Sequence, residues 1–88
     1  MKHLNIKITG NVQGVFFRGS AQKKAREMDI GGFARNETDG SLYIEAEGDE
    51  KLLNSFINWC ENGPPTAKVS DISIKEGKII GFKDFETH

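Results

Sequence analysis

The hydrophobic pattern changes from a strand period to a helical period across one glycine-containing loop, residues 10–19. Before this loop, apolar residues occupy every second position over residues 4–8, which is the pattern of a half-buried β-strand. After it, apolar residues recur three or four positions apart over residues 17–28, which places them on one face of a helix. The chain is therefore constrained to fold with this loop between a strand and a helix that runs from about Phe17 to Asp29.

The composition of the loop suits the binding of an anion. Gly10, Gly14 and Gly19 let backbone N–H groups converge, and the start of a helix adds partial positive charge. Arg18 adds a planar cation that can bind two phosphate oxygens at once. A second interpretation stays open, because glycines also permit a tight connection and an arginine at a helix start is commonly solvated. The functional interpretation predicts a phosphate site here.

The middle of the chain predicts a β-hairpin over residues 33–47. Two alternating segments flank Thr38-Asp39-Gly40, in which Asp can bond its own backbone and Gly accepts positive φ. Asp49 follows as the expected N-cap of a second helix. Gly63 and Pro64-Pro65 end that helix, because neither residue type continues helical structure well.

The last part of the chain predicts two further strands. The parity of the apolar positions changes near Ser70-Asp71, which indicates a β-bulge in the fourth strand. Apolar residues between Ile79 and Phe85 predict a final strand of undetermined extent.

This order of elements predicts an α+β fold, the ferredoxin-like sandwich in which two helices pack on one antiparallel sheet. The order is βαββαβ, with a further short strand at the C-terminal end. A right-handed crossover makes the first two strands parallel, with the third inserted antiparallel between them. Both parallel strands then end at the same edge of the sheet. The loop up to Arg18 and Asn36, at the end of the second strand, are therefore expected to share one pocket.

The composition favours one domain over residues 1–88, with 36% apolar and 28% charged side chains. A net charge of −1 argues against nucleic acid or an anionic membrane as a partner. No segment approaches the roughly 20 apolar residues of a membrane span, so a cytoplasmic location is expected. Cys60 is the only cysteine, which excludes an internal disulfide. Asp39, Asp49 and Glu50 do not form the spaced carboxylate set that Mg²⁺ or Ca²⁺ needs, so no metal is expected.

Three segments together resemble the acylphosphatase family, and they span nearly the whole chain. The first signature of that family resembles Gly10-x-Val12-Gln13-Gly14-Val15-x-Phe17-Arg18. The second resembles Gly32-Phe33-Ala34-Arg35-Asn36-x-x-x-Gly40-x-Leu42 followed by Gly48, with Leu42 where valine is usual. Residues 62–69 resemble the family's segment between the second helix and the fourth strand. The ending Phe85-Glu86-Thr87-His88 departs from the family's basic and aromatic C-terminus.

The resemblance implies a hydrolase that cleaves acyl phosphates to a carboxylate and inorganic phosphate, without a metal or cofactor. It implies that Arg18 clamps the phosphate, that Asn36 positions the attacking water, and that the substrate's own phosphate accepts the proton. The expected partners of a monomeric enzyme are the small-molecule substrate and inorganic phosphate, the latter as product and competitive ligand. No residue identifies the natural acyl group. Six backbone N–H groups are expected to cradle the phosphate: those of Gln13, Gly14, Val15, Phe16, Phe17 and Arg18.

No general acid is expected beside the two motifs. The leaving carboxylate has a conjugate acid with a pKa of about 4, like Asp and Glu side chains, so it can depart without being protonated. His3 and His88 lie near the ends of the sequence. Phe16 and Phe17 are interpreted as packing residues rather than substrate contacts, since Phe17 belongs to the apolar face of the first helix.

Four alternatives fit the sequence less well. The segment Gly14–Ser20 has the glycine spacing of a nucleotide-binding P-loop but lacks its lysine. Cys60 is followed six positions later by Thr66, where a cysteine phosphatase needs an arginine. An RNA-binding sheet needs aromatic residues on adjacent central strands, whereas Tyr43 stands alone and is followed by acidic residues. A noncatalytic module of a larger protein stays open, and it is disfavoured because both motif residues are present.

Overall fold

Two helices cover one face of a five-stranded sheet. The computed structural model describes residues 1–88. The element order confirms the predicted βαββαβ arrangement with a short last strand. The elements are β1 (Lys2–Asn11), α1 (Phe17–Glu27), β2 (Gly31–Asn36), β3 (Leu42–Gly48), α2 (Glu50–Cys60), β4 (Lys68–Gly77) and β5 (Phe85–Thr87).

The strand order across the sheet is β4-β1-β3-β2-β5. Both β1 and β2 run antiparallel to β3, which lies between them, so β1 and β2 are parallel as predicted. The sheet is not purely antiparallel, however, because β5 pairs with β2 in parallel. The cause is the route of the chain. After β4, residues 78–84 lead across to the opposite edge of the sheet, and β5 then runs in the direction of β2.

The core lies between the sheet and the helices, and the predicted amphipathic patterns build it. Alternate residues of β1 and β3 face the helices, as do residues three or four apart on α1 and α2. These side chains are almost completely removed from water, which is the main favourable contribution to folding. The core side chains from these four elements include Ile6, Ile8, Phe17, Ala21, Ala25, Leu42, Ile44, Leu53 and Phe56.

Two predicted boundaries were wrong by a few residues. Helix α1 ends at Glu27, with Met28 as its C-cap, rather than at Asp29. Strand β2 starts at Gly31, two residues before the start of the predicted hairpin at residue 33, so it includes the pair Gly31-Gly32. Pairing of β2 with β3 overrides the weak strand propensity of glycine here.

The predicted β-bulge in β4 is confirmed. Thr9 lies opposite Asp71 and Gly10 opposite Val69, which leaves Ser70 as the extra residue on β4. Gly10 has a φ of 129°, and a β-carbon at that position would lie 2.2 Å from the carbonyl oxygen of Lys68. Only glycine fits this close approach, so Gly10 has a structural reason for its identity.

Of the apolar residues between Ile79 and Phe85, only Phe85 belongs to the final strand, whose extent the sequence left undetermined. Ile79 and Ile80 lie outside any strand and are largely exposed, whereas Phe85 is fully buried in β5. The backbone N–H groups of residues 80–82 instead donate to the buried carboxylate of Glu47, which also accepts from His3 Nδ1 at 2.8 Å. Burial alone would raise the pKa of Glu47, but these donors outweigh it and lower the pKa to about 2.

Candidate active site

The loop between β1 and α1 borders a cavity of about 240 Å³ at the edge of the sheet. Arg18 at the start of α1 and Asn36 at the end of β2 both line it. The sheet topology therefore brings together the two residues that the sequence analysis placed in one pocket. The other lining residues come from the glycine-containing loop: Val12, Gly14, Phe16 and Phe17.

The backbone of this loop is left-handed at two positions. Gly14 has a φ of 70°, and a β-carbon at this position would meet no other atom within 4 Å. The backbone conformation of Gly14, and not crowding, therefore favours glycine. Phe16, the N-cap of α1, has a φ of 63° and a ψ of 24°. Gly19 lies inside α1 with ordinary φ and free space around it, so neither argument applies there.

The N-terminus of α1 has no internal cap. Phe16 cannot accept a hydrogen bond through its side chain, and no acidic residue lies in the first turn. The first N–H groups of a helix have no partners within the helix, and together they carry partial positive charge. The start of α1 therefore presents donors that an anion can use.

Arg18, which lines the cavity, is half-buried, and its guanidinium bonds to His88. Its Nη1 donates to the main-chain oxygen of His88 at 2.6 Å. The N–H of His88 donates to Ala34 on β2 at 2.9 Å, and the His88 ring stacks on Phe33 with centroids 4.7 Å apart. The sequence position of His88 predicts a location away from both motifs, and this prediction was wrong, because β5 docks beside β2 and carries His88 to Arg18.

Asn36 presents a polar atom without a partner. Its side-chain oxygen, Oδ1, is buried and accepts no hydrogen bond from the protein. Buried polar atoms in folded proteins nearly always have partners, so an exception requires an explanation. Asn36 lines the cavity beside Arg18, and its Oδ1 keeps its capacity to accept a hydrogen bond.

The side chains of Gln13 and Thr66 hold the loop in place, and the sequence predicted neither role. Gln13 Nε2 donates to the main-chain oxygens of Glu37 at 2.7 Å and Ser41 at 2.9 Å, which ties the loop to the β2–β3 turn next to Asn36. Thr66 Oγ1 donates to the main-chain oxygen of Val15 at 2.7 Å. No periodic pattern reveals such bonds, since each joins residues far apart in sequence.

The neighbouring β2–β3 turn has the chemistry predicted for it. Asp39 Oδ1 accepts from the N–H of Ser41 at 2.9 Å, as expected for an aspartate that bonds nearby backbone. Bonds from Ser41 and from Lys7 hold the pKa of Asp39 well below its usual range. The turn is thus tied to β1 through Lys7.

Other reactive groups lie elsewhere. Cys60 is fully buried in the core, and burial raises the pKa of its thiol, which suits a packing residue and not a nucleophile. No three His, Cys, Asp or Glu side chains lie together in an arrangement that could hold a metal ion. Neither helix is both long and apolar enough to cross a membrane. Absence of a metal requirement stays a prediction.

Comparisons with known proteins agree with the motifs. The family model described as acylphosphatase matches residues 4–87. An acylphosphatase of Methylococcus capsulatus is 38% identical over 86 residues, covering 97% of this chain and 94% of that protein. The crystal structure of acylphosphatase from Bacillus subtilis matches with a TM-score of 0.97 and 38% identity, covering 100% of this chain and 99% of that one.

A larger protein contains a similar unit. The crystal structure of full-length HypF in the phosphate- and nucleotide-bound form matches with a TM-score of 0.92 and 33% identity. The match covers 99% of this chain but only 12% of that one. The fold thus occurs both alone and as a small part of a longer chain.

Fold and motifs together define a small α+β hydrolase of phosphate compounds. The chain belongs to the acylphosphatase family, which confirms the resemblance seen in its motifs. It is an enzyme that hydrolyses acyl phosphates, which are small molecules, to a carboxylate and inorganic phosphate.

Proposed function

We propose that Arg18 and the uncapped start of α1 hold the phosphate while Asn36 positions the attacking water. One observation carries this assignment: Asn36, whose side-chain Oδ1 has no hydrogen-bond partner in the protein, lines the same cavity as Arg18. The proposed main-chain donors to the phosphate are the N–H groups of Gln13, Gly14, Val15, Phe16, Phe17 and Arg18.

The roles follow from what the reaction needs. The water oxygen forms a bond to phosphorus as the bond from phosphorus to the acyl oxygen breaks, and negative charge spreads over the phosphoryl oxygens. Preorganised donors and a fixed cation stabilise that charge most where water is excluded. The electron pair of the broken bond leaves with the carboxylate, which needs no acid. The proton of the water passes to a phosphate oxygen.

The bond from Arg18 to His88 is consistent with a clamp. A guanidinium has five N–H donors in a fixed planar fork, and Nη1 uses a donor on the main-chain oxygen of His88. The remaining donors stay available for phosphate oxygens. Fixing the side chain in advance reduces the entropy lost when the substrate binds.

A competing location for phosphate exists on the same molecule. A cavity of about 280 Å³ lies where α1 faces the region around Trp59 and Pro64-Pro65, and Lys23 and Lys24 line it. It has positive charge, but Glu27 also lines it and neither motif residue reaches it. The proposal therefore requires phosphate to prefer the smaller cavity at the sheet edge.

Backbone amide NMR during a titration with inorganic phosphate tests this preference. We expect the largest shifts at the amides of residues 13–18 and at the side-chain amide of Asn36. Arg26→Gln is a matched control, since Arg26 lies on the same helix and pairs with Asp84 away from the cavity. Shifts centred on Lys23, Lys24 and Trp59 would contradict the assignment.

We also propose that residues 1–88 form one domain, which works as a monomer in the cytoplasm, without a metal or cofactor and without nucleic acid or a membrane as partner. The two-way coverage of the relative from Methylococcus capsulatus supports a single domain. The net charge of −1 is compatible with the lack of a nucleic-acid or membrane partner, and the single buried cysteine is compatible with a cytoplasmic location. Activity should survive dialysis against a chelator, and sedimentation should give the mass of one chain.

A further inference from the structure

Phe16 has an unusual combination of conformation and exposure. It immediately precedes α1 in the left-handed region, with a φ of 63°, which is unfavourable for a bulky residue. Its side chain is 82% exposed, so the sequence-based interpretation of Phe16 as a packing residue was wrong. Packing explains its neighbour Phe17, which is 1% exposed and meets Trp59 edge-on with centroids 5.5 Å apart. Packing does not explain Phe16.

The position of Phe16 supplies the missing explanation. Phe16 lines the cavity shared by Arg18 and Asn36. Of the other apolar residues that line it, Val12 and Phe17 are each only 1% exposed. Phe16 is therefore the apolar side chain with accessible surface beside the proposed phosphate site.

We propose that Phe16 is a specificity residue that contacts the acyl group of the substrate and favours aromatic and longer aliphatic acyl phosphates over acetyl phosphate. This inference rests on the proposed phosphate site. The acyl group lies beyond the phosphate that the loop and Arg18 hold, so it projects toward the exposed part of the cavity. Contact between an uncharged acyl group and an exposed ring is favourable, because it removes apolar surface of both groups from water.

The contact discriminates between substrates without touching the reacting phosphorus. Acetyl phosphate has one methyl group to offer, whereas benzoyl phosphate has a ring that can stack on Phe16. Interactions between aromatic rings correspond to a factor of roughly ten at most in kcat/KM. The side chain therefore sets preference among acyl groups and is not required for cleavage itself.

The experiment compares kcat/KM for benzoyl phosphate with kcat/KM for acetyl phosphate. The ratio cancels any change that a variant makes in the shared phosphate site. In Phe16→Gly, which suits a left-handed backbone, we expect the ratio to fall about fivefold to tenfold. Phe16→Leu keeps an apolar side chain, and we expect it to retain part of the preference. Ile79→Ala removes exposed apolar surface elsewhere and is expected to leave the ratio unchanged.

An unchanged ratio in Phe16→Gly, or an equal change in Ile79→Ala, would overturn the inference. If Phe16→Gly does not fold, two other measurements decide. The inference is overturned if Phe16→Leu leaves the ratio unchanged and the unaltered enzyme has equal kcat/KM for acetyl, butyryl and benzoyl phosphate. Failure of the phosphate site itself is recognised separately by the amide titration, which uses inorganic phosphate and no acyl group.

Discussion

The two helices of this protein begin in opposite ways. Asp49 caps α2, where its carboxylate accepts from the N–H groups of Lys51 and Leu52, and Glu50 adds negative charge to the first turn. Helix α1 starts after Phe16, without a side-chain cap and without an acidic residue in its first turn. A helix start attracts anions in both cases. At α2 the protein supplies the anion, whereas at α1 no side chain of the protein does, which supports the proposed phosphate site there.

At Glu47, as at Asp49, a carboxylate of the protein itself accepts from converging backbone N–H groups. The buried carboxylate of Glu47 accepts from three successive backbone N–H groups, those of residues 80–82. The protein thus satisfies two sets of converging donors with its own carboxylates, while the loop of residues 13–18 has none. The contrast supports the proposal that an external anion binds at that loop.

The largest expected effect comes from removing the cation beside the uncapped helix. We expect Arg18→Gln to lower kcat/KM for acyl phosphate hydrolysis by on the order of 10³-fold or more, because a transition-state arginine stabilises charge on the phosphoryl oxygens. Steady-state hydrolysis of benzoyl phosphate measures it, with Arg26→Gln as the control on the same helix. A loss below tenfold would mean that Arg18 does not contact the phosphate.

Asn36→Ala should have the next largest effect. Without the amide, the attacking water is no longer held in line with phosphorus, and we expect kcat to fall by about 10²-fold. The same hydrolysis assay measures it, and Asn54→Ala on the exposed side of α2 is the matched control. A rise in KM with an unchanged kcat would assign Asn36 to substrate binding instead.

Acid should weaken the internal site at Glu47. Its pKa is lowered from 4.5 to about 2, so it stabilises the folded state above pH 4.5 and loses this contribution as the pH falls towards 2. Near pH 3 the free energy of unfolding should have fallen by roughly 1 to 2 kcal/mol from this group. Urea unfolding at a series of pH values measures it. Glu47→Gln, which has no carboxyl to titrate, should lack this part of the pH dependence, and an identical profile would refute the assignment.

The smallest effect should follow loss of the cap on α2. Asp49→Ala should lower the free energy of unfolding by about 1 kcal/mol, because two backbone donors lose their acceptor. Urea unfolding measures the change. We expect kcat/KM to stay the same, since α2 starts away from the cavity. A parallel loss of activity would show that the two helix starts do not have the separate roles described above.

The local elements of the fold were largely predictable from the sequence. The alternation in β1, the face of α1, the turn at Asp39 and the cap at Asp49 depend on residues close together in the chain. The bulge at Ser70 was also predictable, since a change of parity marks it directly. The right-handed crossover then placed Arg18 and Asn36 at one edge, because the topology leaves few alternatives.

The remaining features depend on contacts between distant segments. The direction of β5 follows from the path of residues 78–84 across the sheet, which no hydrophobic period records. The bonds of Gln13, Thr66 and His88 to main-chain atoms have no local signature either. The exposure of Phe16 was missed because two adjacent phenylalanines suggested packing for both.

The separate roles of Arg18 and Asn36 are the central claim. Calorimetric titration of Arg18→Gln and Asn36→Ala with inorganic phosphate, side by side, tests it most directly. Because Arg18 is assigned to the anion and Asn36 to the water, we expect binding to be lost in Arg18→Gln and nearly unchanged in Asn36→Ala. Equal loss of phosphate affinity in both variants, or full affinity in Arg18→Gln, would contradict the account.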